Sequence, residues 1–184
     1  SRIKVLAGTG ANATSEALEL TRFALDNGAD GTLQVAPYYN KPNQEGLWRH
    51  FSAVADLGLP VVLYNIPGRA GVEISVDTVA RLARHPRIVA IKEAGGSVAR
   101  VSQILAQCEI CVLSGDDPLT LPMLSVGARG VISVASNLVP RAVADLVQAA
   151  LRGDWARAGE LHRQYFRLFG DLFLDTNPIP VKAA

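Results

Sequence analysis

The chain has 184 residues, of which 49% are hydrophobic and 19% are charged, and this composition suits one domain, or a large part of one, with a sizeable buried core. Its net charge of +1 comes from 18 basic and 17 acidic residues, and no cluster of lysines or arginines indicates nucleic acid or a membrane surface as a partner. The two cysteines cannot form the disulfide framework of a small secreted protein, so we expect a cytoplasmic location.

Six short apolar runs, rich in β-branched residues, predict strands that are buried on both faces. In chain order, these predicted strands cover residues 3–7, 32–36, 61–64, 88–92, 111–114 and 130–134.

Helical patterns separate the predicted strands. Thr14 or Ser15 is predicted to cap the first helix, which ends at Gly28. The packed face of this helix is predicted to hold Ala17, Leu20 and Ala24. Ser75 is predicted to cap a later helix, and Asp154 caps a last helix that follows without an intervening strand. Further helices are predicted over residues 44–57, 98–107, 118–126 and 139–152.

This alternation of strands and helices predicts an α/β fold with a parallel sheet and right-handed crossovers. Six strands fit either an open doubly wound sheet or a barrel of which two strands lie outside this sequence. Composition does not choose between these architectures. In both of them, active sites lie at the carboxyl ends of the strands, so the residues at those ends decide the interpretation.

Three residues at or after strand ends have side chains suited to catalysis. Lys92 ends the fourth strand, where an apolar surrounding would strip water from its ammonium group and favour the nucleophilic neutral amine. Tyr64 ends the third strand, and its phenol could relay a proton between an imine and an oxygen. Arg69 follows in a Pro-Gly turn, where its guanidinium could bind a carboxylate. Taken singly, each could instead be a solvated or packing side chain, with Lys92 paired to Glu93.

Other motifs give weaker signals. Residues 8–13 match a relaxed dinucleotide-binding pattern, but no acidic residue ends the next strand to bind a ribose, so this interpretation is not favoured. Cys108 and Cys111 form a C-x-x-C pair without the further ligands of a zinc site, so no metal is predicted and Cys111 is expected in the core. The three histidines have no acidic partner that the sequence reveals.

Together, the order and spacing of these motifs resemble the dihydrodipicolinate synthase family, one of the Schiff-base-forming, pyruvate-dependent class I aldolases and lyases. The motifs that carry the resemblance are Gly8-Thr9-Gly10-Ala11-Asn12-Ala13-Thr14, Pro37-Tyr38-Tyr39-Asn40-Lys41-Pro42, Gln44-Glu45-Gly46, Tyr64-Asn65-Ile66-Pro67-Gly68-Arg69, Ile91-Lys92-Glu93-Ala94, Ser114-Gly115-Asp116-Asp117, Gly130-Val131-Ile132-Ser133-Val134 and Asn177-Pro178-Ile179-Pro180-Val181-Lys182. The similarity spans essentially the whole chain, and the combination is specific although each motif alone is not.

The resemblance implies a (β/α)₈ TIM barrel with extra C-terminal helices, seen here from about barrel strand three onward. The first two strands and the end of the C-terminal tail are therefore expected to lie outside this sequence. Residues 1–137 are expected to form the partial barrel, and residues 138–184 the last barrel helix and the C-terminal helical extension. Because the family takes a relay threonine from the segment before this sequence, we expect the isolated chain to be unstable or inactive.

The resemblance also implies a lyase of lysine (diaminopimelate) biosynthesis that condenses pyruvate with L-aspartate 4-semialdehyde to 4-hydroxy-tetrahydrodipicolinate. In that reaction Lys92 forms an imine with pyruvate, so no metal or organic cofactor is expected. Tyr64 belongs to the proton relay, and Tyr39 matches a tyrosine that crosses a dimer interface into the neighbouring subunit's relay. A homotetramer built as a dimer of dimers is therefore expected.

Substrate and effector positions follow from the same resemblance. Arg69 matches the residue that holds the carboxylate of the aldehyde substrate, and Gly115 and Ile132 match positions whose backbone lines the pyruvate pocket. The members of a candidate allosteric lysine site are Asn12, Glu16 and Tyr38.

The nearest alternative is another pyruvate-type aldolase of the same superfamily, such as N-acetylneuraminate lyase or a keto-deoxy sugar acid aldolase or dehydratase. These enzymes share the lysine and the tyrosine, whereas Arg69 together with Tyr38 and Tyr39 favours the synthase. A non-catalytic paralogue on the same scaffold is disfavoured because Lys92 and Tyr64 are both present.

Overall fold

The computed structural model describes residues 3–184, which divide into two compact units. The first unit runs to Cys111 and the second from Val112 to Ala184. The predicted barrel region, residues 1–137, begins with two residues that lie outside the described part of the chain. Between residues 3 and 184, no helix is long and apolar enough to cross a membrane.

Strands and helices alternate through the first unit. Its strands are β1 (Leu6–Gly8), β2 (Gly31–Val35), β3 (Val61–Asn65) and β4 (Ile88–Glu93). Its helices are α1 (Thr14–Asp26), α2 (Gln44–Ala55), α3 (Pro67–Ala70), α4 (Val76–Leu82) and α5 (Val98–Gln107). The four strands pair in chain order and all run parallel, which confirms the predicted α/β arrangement and brings their carboxyl ends to one edge.

The register between β3 and β4 contains one irregularity. Val61 pairs with Ile88, but the following residue of β3 pairs with Ala90. Val89 is therefore an extra residue on β4, as in a β-bulge. Beyond it the pairing continues without a break to the carboxyl ends of both strands.

The core of the first unit follows from strand alternation and helix periodicity. Leu63 and Ile91 are fully buried on β3 and β4. Leu47 and Phe51 are also fully buried, and because they are four residues apart they form one apolar face of α2. This packing fixes the two strands whose ends carry the candidate catalytic residues.

The second unit combines a short parallel strand pair with long helices. β5 (Cys111–Ser114), which starts at the end of the first unit, pairs with β6 (Gly130–Val131). The helices are α6 (Thr120–Ser125), α7 (Pro140–Leu151), α8 (Trp155–Asp171) and α9 (Ile179–Ala183), with a 3-10 turn at Ala135–Asn137. The core of this unit is a cluster of apolar side chains from α6, the 3-10 turn, α7 and α8, among them Leu146, Leu161 and Phe169.

Two strands are shorter than predicted because carboxylate side chains form hydrogen bonds with backbone groups that the prediction assigned to the strands. β1 starts three residues later than predicted. The N–H of Val5 donates to the carboxylate of Asp30, and the carbonyl of Val5 accepts the backbone N–H of Asp30. β6 ends three residues early, where the N–H of Val134 donates to the carboxylate of Asp117.

The first helix also departs from its prediction. Ala13 is its N-cap, without a side-chain hydrogen bond, and the hydroxyl of Thr14 instead lies 2.9 Å from Nδ1 of His50. Leu20, predicted on the packed face, is 40% exposed. Thr21 is buried in its place, because its hydroxyl bonds to polar side chains of β2 and of the segment after β1.

The predicted caps Ser75 and Asp154 are confirmed, since each side chain accepts a backbone N–H of its helix. The helices α3 and α9 were not predicted, because four and five residues are too few to show a helical period. His85 does have an acidic partner, contrary to the sequence interpretation: its Nε2 lies 3.2 Å from the carboxylate of Asp56. Cys108 and Cys111 form no disulfide bond, and Cys111, expected in the core, is only partly buried, as is Cys108.

Candidate active site

Lys92 and Tyr64 lie side by side on neighbouring parallel strands. The register pairs the two residues directly, so both side chains project from the same face of the sheet. Lys92 Nζ lies 3.9 Å from the centroid of the Tyr64 ring, which is within the range of a cation–π contact. Both residues are partly buried, as expected for groups that hold a small substrate away from bulk water.

The environment of Tyr64 keeps its phenol protonated. Burial raises the pKa of Tyr64 above its ordinary value, and the nearby positive charge of Arg69 opposes this only in part. A neutral phenol can donate a hydrogen bond or a proton and accept one in return. The side chain is therefore suited to a proton relay.

Arg69 is presented by the single-turn helix α3. The helix begins at Pro67, whose fixed φ suits a first helical position, and it is followed by Gly71 with φ of 73°. Arg69 itself is exposed, five residues after Tyr64. The short helix thus brings a guanidinium close enough to Tyr64 for its charge to be felt by the phenol.

A buried polar cluster lies directly behind these residues and was missed by the sequence interpretation. Glu93, considered there as a surface partner of Lys92, is fully buried, and its carboxylate accepts from Arg100 Nε at 2.9 Å. The side-chain amide of Asn65 donates to both carboxylate oxygens of Glu93, at 2.9 and 3.1 Å. The available signal was strand alternation, which places Glu93 on the opposite face from Lys92.

The loop after β2 carries the two adjacent tyrosines. Tyr39 is 88% exposed and has a φ of 73°, a left-handed conformation that is rare for a bulky residue. Tyr38 is 41% exposed. The side chain of Asn40 donates to the carbonyl of Asn12 at 3.0 Å and so ties this loop to the segment that leads into α1.

One of the candidate effector residues, Asn12, takes part in that connection. Asn12 is partly buried, and Glu16 lies exposed in the first turn of α1. The Asn40–Asn12 hydrogen bond brings the tyrosine loop to the start of this helix. The structure therefore brings the Tyr38 loop and Asn12 together, and Glu16 follows four residues along the chain from Asn12.

In the second unit, Gly115 and Ile132 follow the ends of β5 and β6. The N–H of Ile132 donates to the carbonyl of Ser114 at 2.9 Å, which extends the strand pairing by one residue. The buried carboxylate of Asp117 then accepts the N–H groups of Val134 and Ala135, each at 2.9 Å. These bonds fix the backbone on both sides of the segment that contains Ile132.

The glycine-rich loop after β1 has a packing role that explains one of its glycines. A Cβ on Gly10 would lie 2.5 Å from the backbone nitrogen of Val35, so only glycine fits there. The loop thus accommodates β2 and needs no phosphate ligand to account for its sequence. Among residues 3–184, no group of three or more His, Cys, Asp or Glu side chains is arranged to hold a metal ion.

Comparison with known proteins places this geometry in a family. Residues 1–184 match the model of the Dihydrodipicolinate synthetase family. The chain belongs to the dihydrodipicolinate synthetase family. The 4-hydroxy-tetrahydrodipicolinate synthase of Methanospirillum hungatei is 53% identical over an alignment of 186 residues that covers 100% of this chain and 64% of the relative. This chain therefore spans 64% of the length of that family member.

Solved structures of the dihydrodipicolinate synthetase family agree. The 4-hydroxy-tetrahydrodipicolinate synthase from Methylacidiphilum fumariolicum SolV is 57% identical, with a TM-score of 0.98 over 99% of this chain and 62% of that chain. A chloride-inhibited dihydrodipicolinate synthase from Acinetobacter baumannii, crystallised in complex with pyruvate, is 47% identical. Its TM-score is 0.96 over 100% of this chain and 64% of that chain. The predicted family is confirmed.

Proposed function

We propose that the full-length protein condenses pyruvate with L-aspartate 4-semialdehyde to 4-hydroxy-tetrahydrodipicolinate, in lysine biosynthesis. The observation that carries this proposal is the contact between Lys92 Nζ and the Tyr64 ring at adjacent strand ends. Membership of the family and the names of its similar members support it. The pyruvate complex of the Acinetobacter baumannii relative supports pyruvate as the first substrate.

Lys92 is the proposed nucleophile. Its neutral amine adds to the ketone carbon of pyruvate, and loss of water leaves an imine between Nζ and that carbon. The imine withdraws electrons, so a methyl proton can leave and the resulting enamine attacks the aldehyde of the second substrate, whose oxygen takes up a proton. The amino group of that substrate then attacks the imine carbon, which closes the ring and releases the Lys92 amine. Tyr64 lies against the amine and is kept protonated by burial, which supports a role in passing these protons.

The remaining substrate contacts are proposed from family positions. Arg69, exposed on α3, would bind the carboxylate of aspartate semialdehyde through two parallel hydrogen bonds. The backbone at Gly115 and Ile132 would line the pyruvate pocket, and the hydrogen bonds on either side of Ile132 support a fixed backbone there. No metal or organic cofactor is required in this scheme, because the imine itself is the electron sink.

Tyr39 is proposed to reach into the relay of a neighbouring subunit. Its 88% exposure and left-handed backbone support a side chain that projects away from its own unit. The assembly we propose is a homotetramer, built as a dimer of dimers. Asn12, Glu16 and Tyr38 are proposed to bind lysine as a feedback inhibitor, since an amide, a carboxylate and a phenol suit the charged groups of an amino acid.

The architecture proposed for the full-length protein is a (β/α)₈ barrel with a C-terminal helical extension. The parallel strands of each unit and the similarity to full-length family structures support it. The assignment of residues 1–137 to the barrel and 138–184 to the last barrel helix and extension remains part of this proposal. We also propose a cytoplasmic location, in keeping with two cysteines that are not joined in a disulfide.

Imine trapping tests the nucleophile. The full-length protein is incubated with pyruvate and reduced with borohydride, and the modified peptide is identified by mass spectrometry. We expect one pyruvate-derived adduct on Lys92 and none in a Lys92→Arg variant. Lys182, a lysine of the last helix, is the matched control: Lys182→Arg should label normally. A wild-type protein that forms no adduct would rule out the proposed function.

The acceptor is tested by comparing aspartate semialdehyde with sugar-derived aldehydes. We expect a strong preference for aspartate semialdehyde that Arg69→Ala reduces by about 10- to 100-fold, the worth of a charge-assisted hydrogen bond. Arg84→Ala, which removes a guanidinium from the segment after α4, is the control. A preference for sugar-derived aldehydes would favour the sugar-acid aldolases instead.

A further inference from the structure

We infer that the buried cluster of Asn65, Glu93 and Arg100 positions three candidate site residues at once: Lys92, Tyr64 and Arg69. This inference rests on the proposed function and assigns to the cluster a part in it. The three members of the cluster touch no reacting atom in this scheme. They act through the backbone of the residues beside them.

The first link is to Lys92 and Tyr64. Asn65 directly follows Tyr64, and Glu93 directly follows Lys92. The two hydrogen bonds from Asn65 to Glu93, at 2.9 and 3.1 Å, tie the last residue of β3 to the last residue of β4. Lys92 and Tyr64 each lie one residue before these hydrogen bonds. The bonds therefore set the position of the amine relative to the phenol along the direction of the strands.

A backbone bond strengthens the same connection. The carbonyl of Asn65 accepts the N–H of Ala94 at 2.9 Å, and the carboxylate of Glu93 accepts the N–H of Gly95 at 2.8 Å. The chain therefore turns tightly around the carboxylate just after Lys92. A Cβ on Gly95 would lie 2.7 Å from this carboxylate, so the turn leaves no room for a larger residue.

The second link is to the helix that carries Arg69. The side-chain oxygen of Asn65 accepts the N–H of Ile74 at 3.0 Å, and the guanidinium of Arg100 donates to the carbonyl of the same residue. The two ends of the segment from Asn65 to Ile74 are therefore held together, and α3 lies between them in the chain. A second ion pair, from Arg100 to Glu73 at 3.3 Å, holds the same end of the segment.

Burial explains why the cluster can set positions. Asn65 and Glu93 are fully buried and Arg100 is 6% exposed, so bonds among them face little competition from water. A carboxylate that accepts from an amide, a guanidinium and a backbone N–H has few alternative arrangements. Catalytic groups need such support, because a displacement of about 1 Å can lower a rate about 100-fold.

Glu93→Gln in the full-length protein is the primary test. It keeps the shape of the side chain but replaces one acceptor oxygen with a donor, which opposes either Arg100 or Gly95. We expect the folded variant to trap pyruvate on Lys92 at least about 10-fold more slowly than wild type, with a raised KM for aspartate semialdehyde. Glu45→Gln, which breaks an exposed carboxylate–arginine cluster in the same unit, should leave both values unchanged.

The outcomes separate this inference from the proposed function. No adduct in the wild-type protein defeats the proposed function, whatever the variants do. A wild-type adduct together with a folded Glu93→Gln variant that labels within twofold of the wild-type rate overturns the positioning role, even if the variant melts at a lower temperature. If Glu93→Gln does not fold, Gly95→Ala decides instead. It displaces the carboxylate without removing a charge, and an unchanged labelling rate would again overturn the inference.

Discussion

Lys92 Nζ lies 3.9 Å from the centroid of the Tyr64 ring. Because the amine contacts the ring, a substitution that removes only the hydroxyl distinguishes the effect of the hydroxyl from that of the ring contact. Tyr64→Phe keeps the aromatic surface against the amine and removes only the group that carries a proton. We expect imine formation to slow by about 100-fold or more, the usual contribution of general acid–base catalysis. The free energy of unfolding should change by less than about 1 kcal/mol, since the packing is retained.

Borohydride trapping at several times and a denaturant titration measure these two quantities. Tyr165→Phe is the matched control, because Tyr165 is a partly buried tyrosine of α8 that stacks on Phe169. It should leave the trapping rate unchanged. A Tyr64→Phe variant that labels at the wild-type rate would remove the phenol from the relay.

The buried imidazole of His50 makes stability depend on pH. Burial lowers the pKa of His50 from 6.5 to about 4, so the unfolded chain binds this proton more tightly than the folded one. Above pH 6.5 the imidazole is neutral in both states and has no effect on the pH dependence. As the pH falls from 6.5 toward 4, the unfolded chain takes up the proton first, and the folded state undergoes a loss of stability. Its full size is about 3 kcal/mol, from the shift in pKa.

Urea unfolding at a series of pH values tests this expectation. In wild type the free energy of unfolding should fall between pH 6.5 and pH 4, and His50→Gln should show a shallower decline over the same range. Both proteins also contain the titrating carboxylates, so the difference between the two curves isolates His50. Parallel curves would mean that the histidine is not held neutral by its surroundings.

Gly8, the last residue of β1, and Gly10, in the loop that follows, should respond differently to alanine. Gly10→Ala would place a methyl group 2.5 Å from the backbone nitrogen of Val35, and we expect a loss of about 2 kcal/mol or more. Gly8→Ala meets no atom within 4 Å and should cost little. Thermal unfolding of both variants measures the difference. Equal melting temperatures would show that the close approach of β2 is not what requires glycine.

The carboxylate of Asp117 should stabilise the second unit through the two backbone N–H groups it accepts. Asp117→Ala leaves the N–H groups of Val134 and Ala135 without this partner, and we expect a loss of about 3 kcal/mol. Asp117→Asn retains an oxygen that can accept both and should lose less. The two variants are compared by denaturant unfolding, and a larger loss for the asparagine would contradict this account.

Sequence patterns predicted the six strands and most of the helices because hydrophobic periodicity is a local property. They also brought Lys92 and Tyr64 to matching strand ends, since parallel strands share one carboxyl edge. The single-turn helix α3 was missed, although the Pro-Gly turn that contains Arg69 was recognised. Single-turn helices leave too short a pattern to distinguish them from turns.

The partners of buried polar residues could not be predicted in the same way. Glu93 and Asn65 are 28 residues apart, and Thr14 and His50 are 36 apart, so each pairing depends on how the elements stack. Thr21 was overlooked on α1 because a threonine is an unusual core residue unless its hydroxyl finds buried partners. The pairing of Glu93 with Asn65 becomes visible only when strand alternation is combined with the register of β3 and β4.

The bulge at Val89 has a consequence for the chemistry of the site, because side chains on a strand follow an odd–even count. Without the extra residue, a regular ladder from the Val61–Ile88 pair would put Ile91 opposite Tyr64. Lys92 would then fall on the side occupied by Glu93, and the phenol would face an alkyl group. The parity of β4 therefore decides whether the amine meets the phenol or the carboxylate. A single residue sets this parity, and it lies about ten ångströms along the strand before Lys92, at roughly 3.3 Å per residue.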